Sequence, residues 1–154
     1  MLSRLVEGGV DFVIVGGYAM VVHGSAAITR DLDICYSTDQ TNLDRLGATL
    51  LDLEAGLSGV AEDVPFAPDG RTLRHTQILT LVTSAGRLDL LGTPDGAPGY
   101  DALAERAFRV ELDGMTLKVA SLEDLIAMKR AAGRPKDLLA VEELEAIQRI
   151  LRER

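Results

Sequence analysis

Apolar and polar positions alternate along this chain in short blocks of two different periods. Asp11 to Val15 (Asp-Phe-Val-Ile-Val) is β-branched and almost wholly apolar, which predicts a central strand. Leu32 to Tyr36 predicts a second strand. Gln77 to Val82 and Arg87 to Leu91 predict two more, joined by the turn Thr83-Ser84-Ala85-Gly86. Phe108 to Leu112 and Met115 to Val119 flank Asp113-Gly114, a pairing that predicts a tight hairpin. Between these lie segments of helical period. Leu2 to Glu7 is closed by Gly8-Gly9, and Tyr18 to His23 is entered through Gly16-Gly17 and closed by Gly24. Asp39 is placed to cap a helix carrying Leu43, Leu46, Leu50, Leu53 and Leu57 on one face. Tyr100 to Ala107 predicts a further helix. Ser121-Leu122-Glu123-Asp124 reads as a capping box opening a helix to Ala132, with Gly133 as its stop. Pro135 then opens a last helix with Ala140, Leu144, Ile147 and Leu151 on one face. Gly59 to Arg71, with Pro65, Pro68 and Asp69-Gly70, reads as a loop and the segment expected to move, and Gly92 to Gly99 as a second loop.

Strands and helices recurring through the chain predict an α/β fold: a mixed sheet with helical cover and a helical C-terminal arm. No linker or repeat divides it. Residues 1–154 are therefore read as one domain, with a core over about 1–92 and a hairpin and helical part over about 99–154.

Composition narrows the chemistry. A hydrophobic share of 47% and a charged share of 26% suit a soluble α/β protein. The longest apolar run, Val10 to Val22, carries Asp11 and is broken by glycines, so no membrane span is expected. The N-terminus lacks the pattern of a signal peptide, and a cytoplasmic location is expected. A single cysteine, Cys35, excludes an internal disulfide, and with only two histidines a Cys/His zinc site is disfavoured. The net charge of −8 argues against indiscriminate nucleic-acid binding. Positive charge does gather locally, at Lys118, Lys129, Arg130, Arg134 and Lys136 and again at Arg149, Arg152 and Arg154.

The segment Asp31-Leu32-Asp33-Ile34 is the most telling. Its two aspartates stand at i and i+2 in a strand-like run, so their side chains leave one face of the sheet. Two unpaired carboxylates on a buried face are costly unless a divalent cation neutralises them. Leu88-Asp89-Leu90 brings a third carboxylate on a later strand. Gly16-Gly17, between strand and helix, offers backbone N–H groups to a phosphate. Metal and phosphate together point to phosphoryl or nucleotidyl transfer.

This order of Val15-Gly16-Gly17, Asp31-Leu32-Asp33-Ile34 and Leu88-Asp89-Leu90 resembles the DNA polymerase β-type nucleotidyltransferase superfamily. The run from Gly16-Gly17-Tyr18-Ala19 to His23-Gly24, with Ser121 to Lys129 and Gly133 to Leu138, resembles the small nucleotidyltransferases among the toxins of bacterial toxin–antitoxin and abortive-infection pairs. The resemblance runs from about Leu5 to Ile147. It implies a polymerase β-like fold and a reaction in which an NMP passes from an NTP to a hydroxyl acceptor, the 3′ end of tRNA among them, with an antitoxin protein as partner. It implies Asp31, Asp33 and Asp89 as catalytic residues and ligands of Mg²⁺, two ions about 3.5–4 Å apart, with Mn²⁺ as a substitute. Gly16, Gly17, Thr29, Arg30, Lys129 and Lys136 are the implied nucleotide-binding residues. Where the family carries an arginine four residues before the first aspartate, this chain has Ala27.

Two function classes stay open at this level: a pyrophosphate-releasing transferase, and a catalytically weak or inactive relative serving as a nucleotide- or protein-binding regulatory module, for which Ala27 is the support. Two residues read more simply as structural, and a third stays open. His23 suits packing or helix capping, Cys35 a buried small hydrophobe, and Tyr18 either a stacked base or the core. The expected geometry is a single cleft on which Asp31, Asp33 and Asp89 converge with carboxylates close enough to share metal, floored by Gly16-Gly17.

Overall fold

A computed structural model describes residues 1–61 and 66–154. In chain order the elements are α1 (Leu2–Glu7), β1 (Phe12–Val15), α2 (Gly16–Val22), β2 (Leu32–Tyr36), α3 (Gln40–Asp52), β3 (Gly56–Leu57) and α4 (Gly70–His75). They continue with β4 (Ile78–Thr83), β5 (Gly86–Leu91), α5 (Tyr100–Glu105), β6 (Phe108–Leu112), β7 (Met115–Val119), α6 (Leu122–Ala132) and α7 (Pro135–Arg152). The strands form one mixed sheet of order β3-β4-β5-β2-β1-β7-β6. The apolar runs of β1 and β2 place them in the middle. They pair antiparallel, Phe12 opposite Tyr36 and Val15 opposite Asp33, while β5 runs parallel to β2 and β7 parallel to β1. Every residue of β1 is buried, as a strand covered on both faces requires.

Polar staples fix how the central strands enter the core. Buried Asn42 on α3 accepts from the Asp11 N–H at 2.6 Å and donates to the Asp11 and Ser37 carbonyls, joining the start of β1 to the end of β2. Asp11 in turn pairs with Lys118 of β7 and accepts from the Tyr100 hydroxyl, which docks α5 on the sheet. Burial alone would raise the Asp11 pKa. Its contacts with Lys118 and Tyr100 outweigh this and hold the carboxyl below its ordinary value. The C-terminal helices are packed on each other and, through α6, on α2. Ser121 caps α6 by accepting from the Asp124 N–H, and Gly133 ends it in the left-handed conformation at φ +65°.

The predicted elements appear close to their expected bounds, with three differences. Leu57 does not continue the α3 stripe. The helix stops at Asp52, and Gly56–Leu57 turns back to pair with β4 as an edge strand. The stretch read as a loop up to Arg71 contains the start of α4, because the Asp69 side chain caps the Thr72 N–H and converts Asp69-Gly70 from turn to helix entry. Of that expected mobile loop, residues 62–65 lie outside those described. On α7 the buried stripe runs through Val141 and Leu144, while Leu151 is half exposed, since the helix outruns the surface it packs on. Among the described residues no helix is long and apolar enough to cross a membrane.

Tyr36 is fully buried at the end of β2, and its hydroxyl donates to the Leu73 carbonyl of α4 at 2.6 Å. Burial pushes its phenol up to about 12, so it is a donor at any ordinary pH. Tyr36→Phe is expected to destabilise the protein by about 1–2 kcal/mol, the cost of a buried carbonyl left without its donor, measured by urea unfolding.

Candidate active site

The site lies where the central strands end. Val15 gives way to Gly16 at the exit of β1, and Gly16 takes φ +65°, a conformation that favours glycine. A Cβ there would stand 1.9 Å from Asp33 Oδ2, so the glycine also leaves the space that the carboxylate fills. Gly17 is similarly tight: its Cβ would meet Thr29 Oγ1 at 2.7 Å. The two glycines therefore let the start of α2 close down on the acidic strand and the segment leading into it.

Parallel pairing of β2 and β5 sets Asp33 directly opposite Asp89, with Leu32 opposite Leu88 and Ile34 opposite Leu90. The apolar flanks point into the core and the two carboxylates point together to the other face. Burial first, and then contact with the Asp89 carboxylate, push the Asp33 carboxyl up to about 7, with Lys129 offering partial relief. Asp89 Oδ1 is buried with no hydrogen-bond partner among the described residues. Asp31, just before β2, shares the cleft but is half exposed, its Oδ1 3.6 Å from Arg87 Nε.

These residues line a cleft of about 480 Å³. One wall carries Gly16, Thr29, Asp31, Asp33 and Asp89. The other carries Lys129, Arg134, Lys136 and Asp137 from α6 and α7, and the loop after β5 adds Asp95. Asp31, Asp33, Asp89 and Gly16 line this one cleft together with Thr29, Lys129 and Lys136. The three carboxylates do not stand close enough together to share a cation as expected, because Asp31 is drawn to Arg87. Of the expected glycine floor only Gly16 lines the cleft. Gly17 supports the floor from behind, packed on Thr29. Arg30 is exposed and outside the cleft lining, as is Ala27, so Arg30 does not stand in for the arginine absent at position 27.

Two features of the site had no clear sequence signal. Asp137 has a side chain only 1% exposed, and it pairs with Arg134 Nε at 2.6 Å and Lys129 Nζ at 3.2 Å. The Arg134 guanidinium and then Lys129 hold its carboxyl down at about 2. Both cations thus reach the cleft already paired and aimed. Glu143 on α7 accepts from Ser25 Oγ at 2.9 Å and from the Ala26 N–H at 3.0 Å, tying the segment before Asp31 to the C-terminal arm. Their helical positions are legible in the sequence; their long-range partners are not.

His23 and Cys35 behave as structural residues, whereas Tyr18 lies neither in the core nor in the cleft. The His23 ring is hydrogen-bonded to the Ala120 carbonyl at 2.7 Å and packs against Phe108. Cys35 is buried, its thiol pushed up to about 11 by burial. Tyr18 is 38% exposed and outside the cleft.

The donor set suits a hard divalent cation: carboxylates only, one of them holding a buried oxygen without a partner. Among the described residues, no three acidic, histidine or cysteine side chains already stand together as a cation site. Asp33 and Asp89 meet each other while Asp31 faces Arg87.

No protein-family model and no curated protein matches the sequence. Solved structures do match the fold. The lincosamide antibiotic adenylyltransferase LnuA, with lincomycin bound, superposes at a TM-score of 0.61 and 15% identity over 95% of this chain and 92% of that one. The antibiotic-resistance factor ANT(2'')-Ia aligns at 0.55 and 16%, over 99% and 87% of the two chains. An antigenic nucleotidyltransferase-like protein from Paracoccidioides brasiliensis aligns at 0.52 and 21%, over 94% and 70%. The chain thus has the polymerase β-like nucleotidyltransferase fold.

An acid whose pKa rises on folding binds its proton more tightly in the folded state. Stability of the metal-free protein should therefore fall as pH climbs from the unfolded value of 3.8 through about 7. Asp33→Asn removes that loss. In thermal melts with chelator, the variant's advantage over the native protein is expected to grow between about pH 5 and pH 8, and a difference that stays flat would contradict the buried carboxylate pair.

Proposed function

We propose that the cleft transfers a nucleoside monophosphate from an NTP to a hydroxyl acceptor. The observation that carries this reading is the opposed pair Asp33 and Asp89, with Asp89 Oδ1 unpartnered and the glycine backbone of Gly16 in place of any side chain beside them. Asp31, Asp33 and Asp89 would hold Mg²⁺, as two ions, with Mn²⁺ as a substitute. When bound, the metal neutralises the carboxylates and the triphosphate and makes the acceptor hydroxyl more acidic.

The chain's own residues supply position and charge. Gly16 gives the Asp33 carboxylate the room it fills, and its backbone N–H would be offered to phosphate oxygens at the start of α2. Lys129 and Arg134, oriented by Asp137, present cationic groups from the opposite wall, and Lys136 adds a third. The acceptor oxygen attacks the α-phosphorus, its proton passes by way of the Asp89 carboxylate to solvent water, and the bond to pyrophosphate breaks with the electron pair leaving on pyrophosphate. No covalent enzyme intermediate is needed.

Two acceptor classes suit this reading. The sequence resemblance favours the 3′ end of tRNA, with an antitoxin as protein partner. The likeness in fold to a lincomycin-bound adenylyltransferase and to ANT(2'')-Ia, seen with adenylyl-2''-tobramycin, favours a hydroxyl of a small molecule. The cleft weighs toward the latter, because Asp137 offsets one of the two charges that Lys129 and Arg134 bring to it and the whole chain carries −8. Labelled NTPs with Mg²⁺, offered total tRNA in one arm and hydroxylated small molecules in the other, separate the two. Incorporation is expected in one arm and should drop at least about a hundredfold in Asp31→Ala and Asp89→Asn. No incorporation above those controls in either arm would contradict transfer.

A second reading, a nucleotide-binding regulator without transfer, rests on Ala27, which stands at the margin of the cleft where the resembled family carries an arginine. A well-formed charge-assisted contact contributes about 1.5–3 kcal/mol. Ala27→Arg is therefore expected to tighten NTP binding by about ten- to a hundredfold in calorimetric titration. Unchanged affinity, with Lys129→Ala abolishing binding, would assign the phosphate charge to the C-terminal arm.

A further inference from the structure

The sheet ends differently on its two sides. At one edge β3 is only two residues long, too short to template another strand. At the other, β6 runs five residues with nothing among the described residues paired beyond it, and it exposes Phe108 at 55% and Leu112 at 44%. A long edge with apolar side chains is open to strand addition unless its charges repel the incoming chain.

Hairpin geometry says which backbone groups point outward. Asp113 and Gly114 both have positive φ, +50° and +78°, as in the two-residue turn whose flanking pair is hydrogen-bonded. Leu112 and Met115 are that pair, so by alternation Val110 with Leu117 and Phe108 with Val119 also bond inward to β7. The N–H and C=O groups of Arg109 and Glu111 are left facing out.

The strand is complementary to itself. Two copies of β6 laid antiparallel about a two-fold axis at Val110 set Arg109 opposite the partner copy's Glu111, and Glu111 opposite its Arg109. Those are the residues whose backbone groups face out, so each opposed pair also closes two ladder hydrogen bonds. On the other face Phe108 meets Leu112 of the second copy and Val110 meets Val110, covering the exposed apolar groups. Glu111 is held on the sheet surface by Thr116 Oγ1, which donates to it at 2.6 Å, and Arg109 forms no ion pair among the described residues. We infer that β6 is the interface of a symmetric homodimer in which the sheets of two chains join edge to edge.

Sedimentation across a micromolar dilution series tests this on the whole chain. The native protein is expected to approach twice the mass of one chain. Arg109→Glu alone and Glu111→Arg alone each turn both cross-strand pairs into like charges and should weaken dimerisation at least about tenfold. Both positions are exposed, so folding should survive, as circular dichroism would verify. The two single variants mixed together restore opposite charges at both pairs and should associate as a heterodimer, and the double variant should dimerise like the native chain. A native protein that stays monomeric throughout the series would overturn the inference. So would single variants that dimerise as well as the native protein, or a mixture that fails to associate.

Discussion

Two carboxylates that oppose each other across neighbouring parallel strands set the terms for the rest of this molecule. Burying Asp33 against Asp89 is unfavourable by both desolvation and like-charge contact, and among the described residues no group relieves Asp89 Oδ1. A sheet centre built only for stability would place apolar side chains there, as it does one residue away on either side. The apolar flanks Leu32, Ile34, Leu88 and Leu90 are buried to 5% exposure or less and keep β2 and β5 in register, so the carboxylates have no route apart. A costly pair of this kind, held by a well-packed core, is the observation that supports the proposal of a cation bound there.

The surrounding architecture follows from that pair. Glycine at position 16 is required twice, by the backbone conformation and by the 1.9 Å between a Cβ and Asp33. The cations that answer the acidic wall come from the far end of the chain, and Asp137 aims them. Glu143 clips the segment before Asp31 to the same helix, so the two walls of the cleft are joined on one side by hydrogen bonds to Ser25 and Ala26. The C-terminal arm is therefore part of the site as well as helical cover.

Much of this was legible in the sequence because it rests on local rules. The i, i+2 spacing of Asp31 and Asp33 determined their shared face. Asp113-Gly114 determined the β6–β7 hairpin to the residue, and Gly133 marked the stop of α6. What stayed hidden depends on partners distant along the chain. A buried Asp137 looks in sequence like any acid in the first turn of a helix, and Glu143 like any charge on an amphipathic one. The start of α4 escaped because Asp69-Gly70 is both a common turn and a valid helix entry. Only the side-chain bond to the Thr72 N–H separates the two. Leu57 matched the helical period of α3 but lay beyond its end, where pairing with Leu81 in β4 decides its state.

Anomalous diffraction from crystals grown with Mn²⁺ and an unreactive NTP analogue tests the central claim most directly. A metal peak in contact with both Asp33 and Asp89, with Asp31 turned from Arg87 toward it and phosphate oxygens beside Gly16, is the predicted result. Density showing Asp33 and Asp89 still in mutual contact, with manganese elsewhere or absent at saturating concentration, would contradict the account.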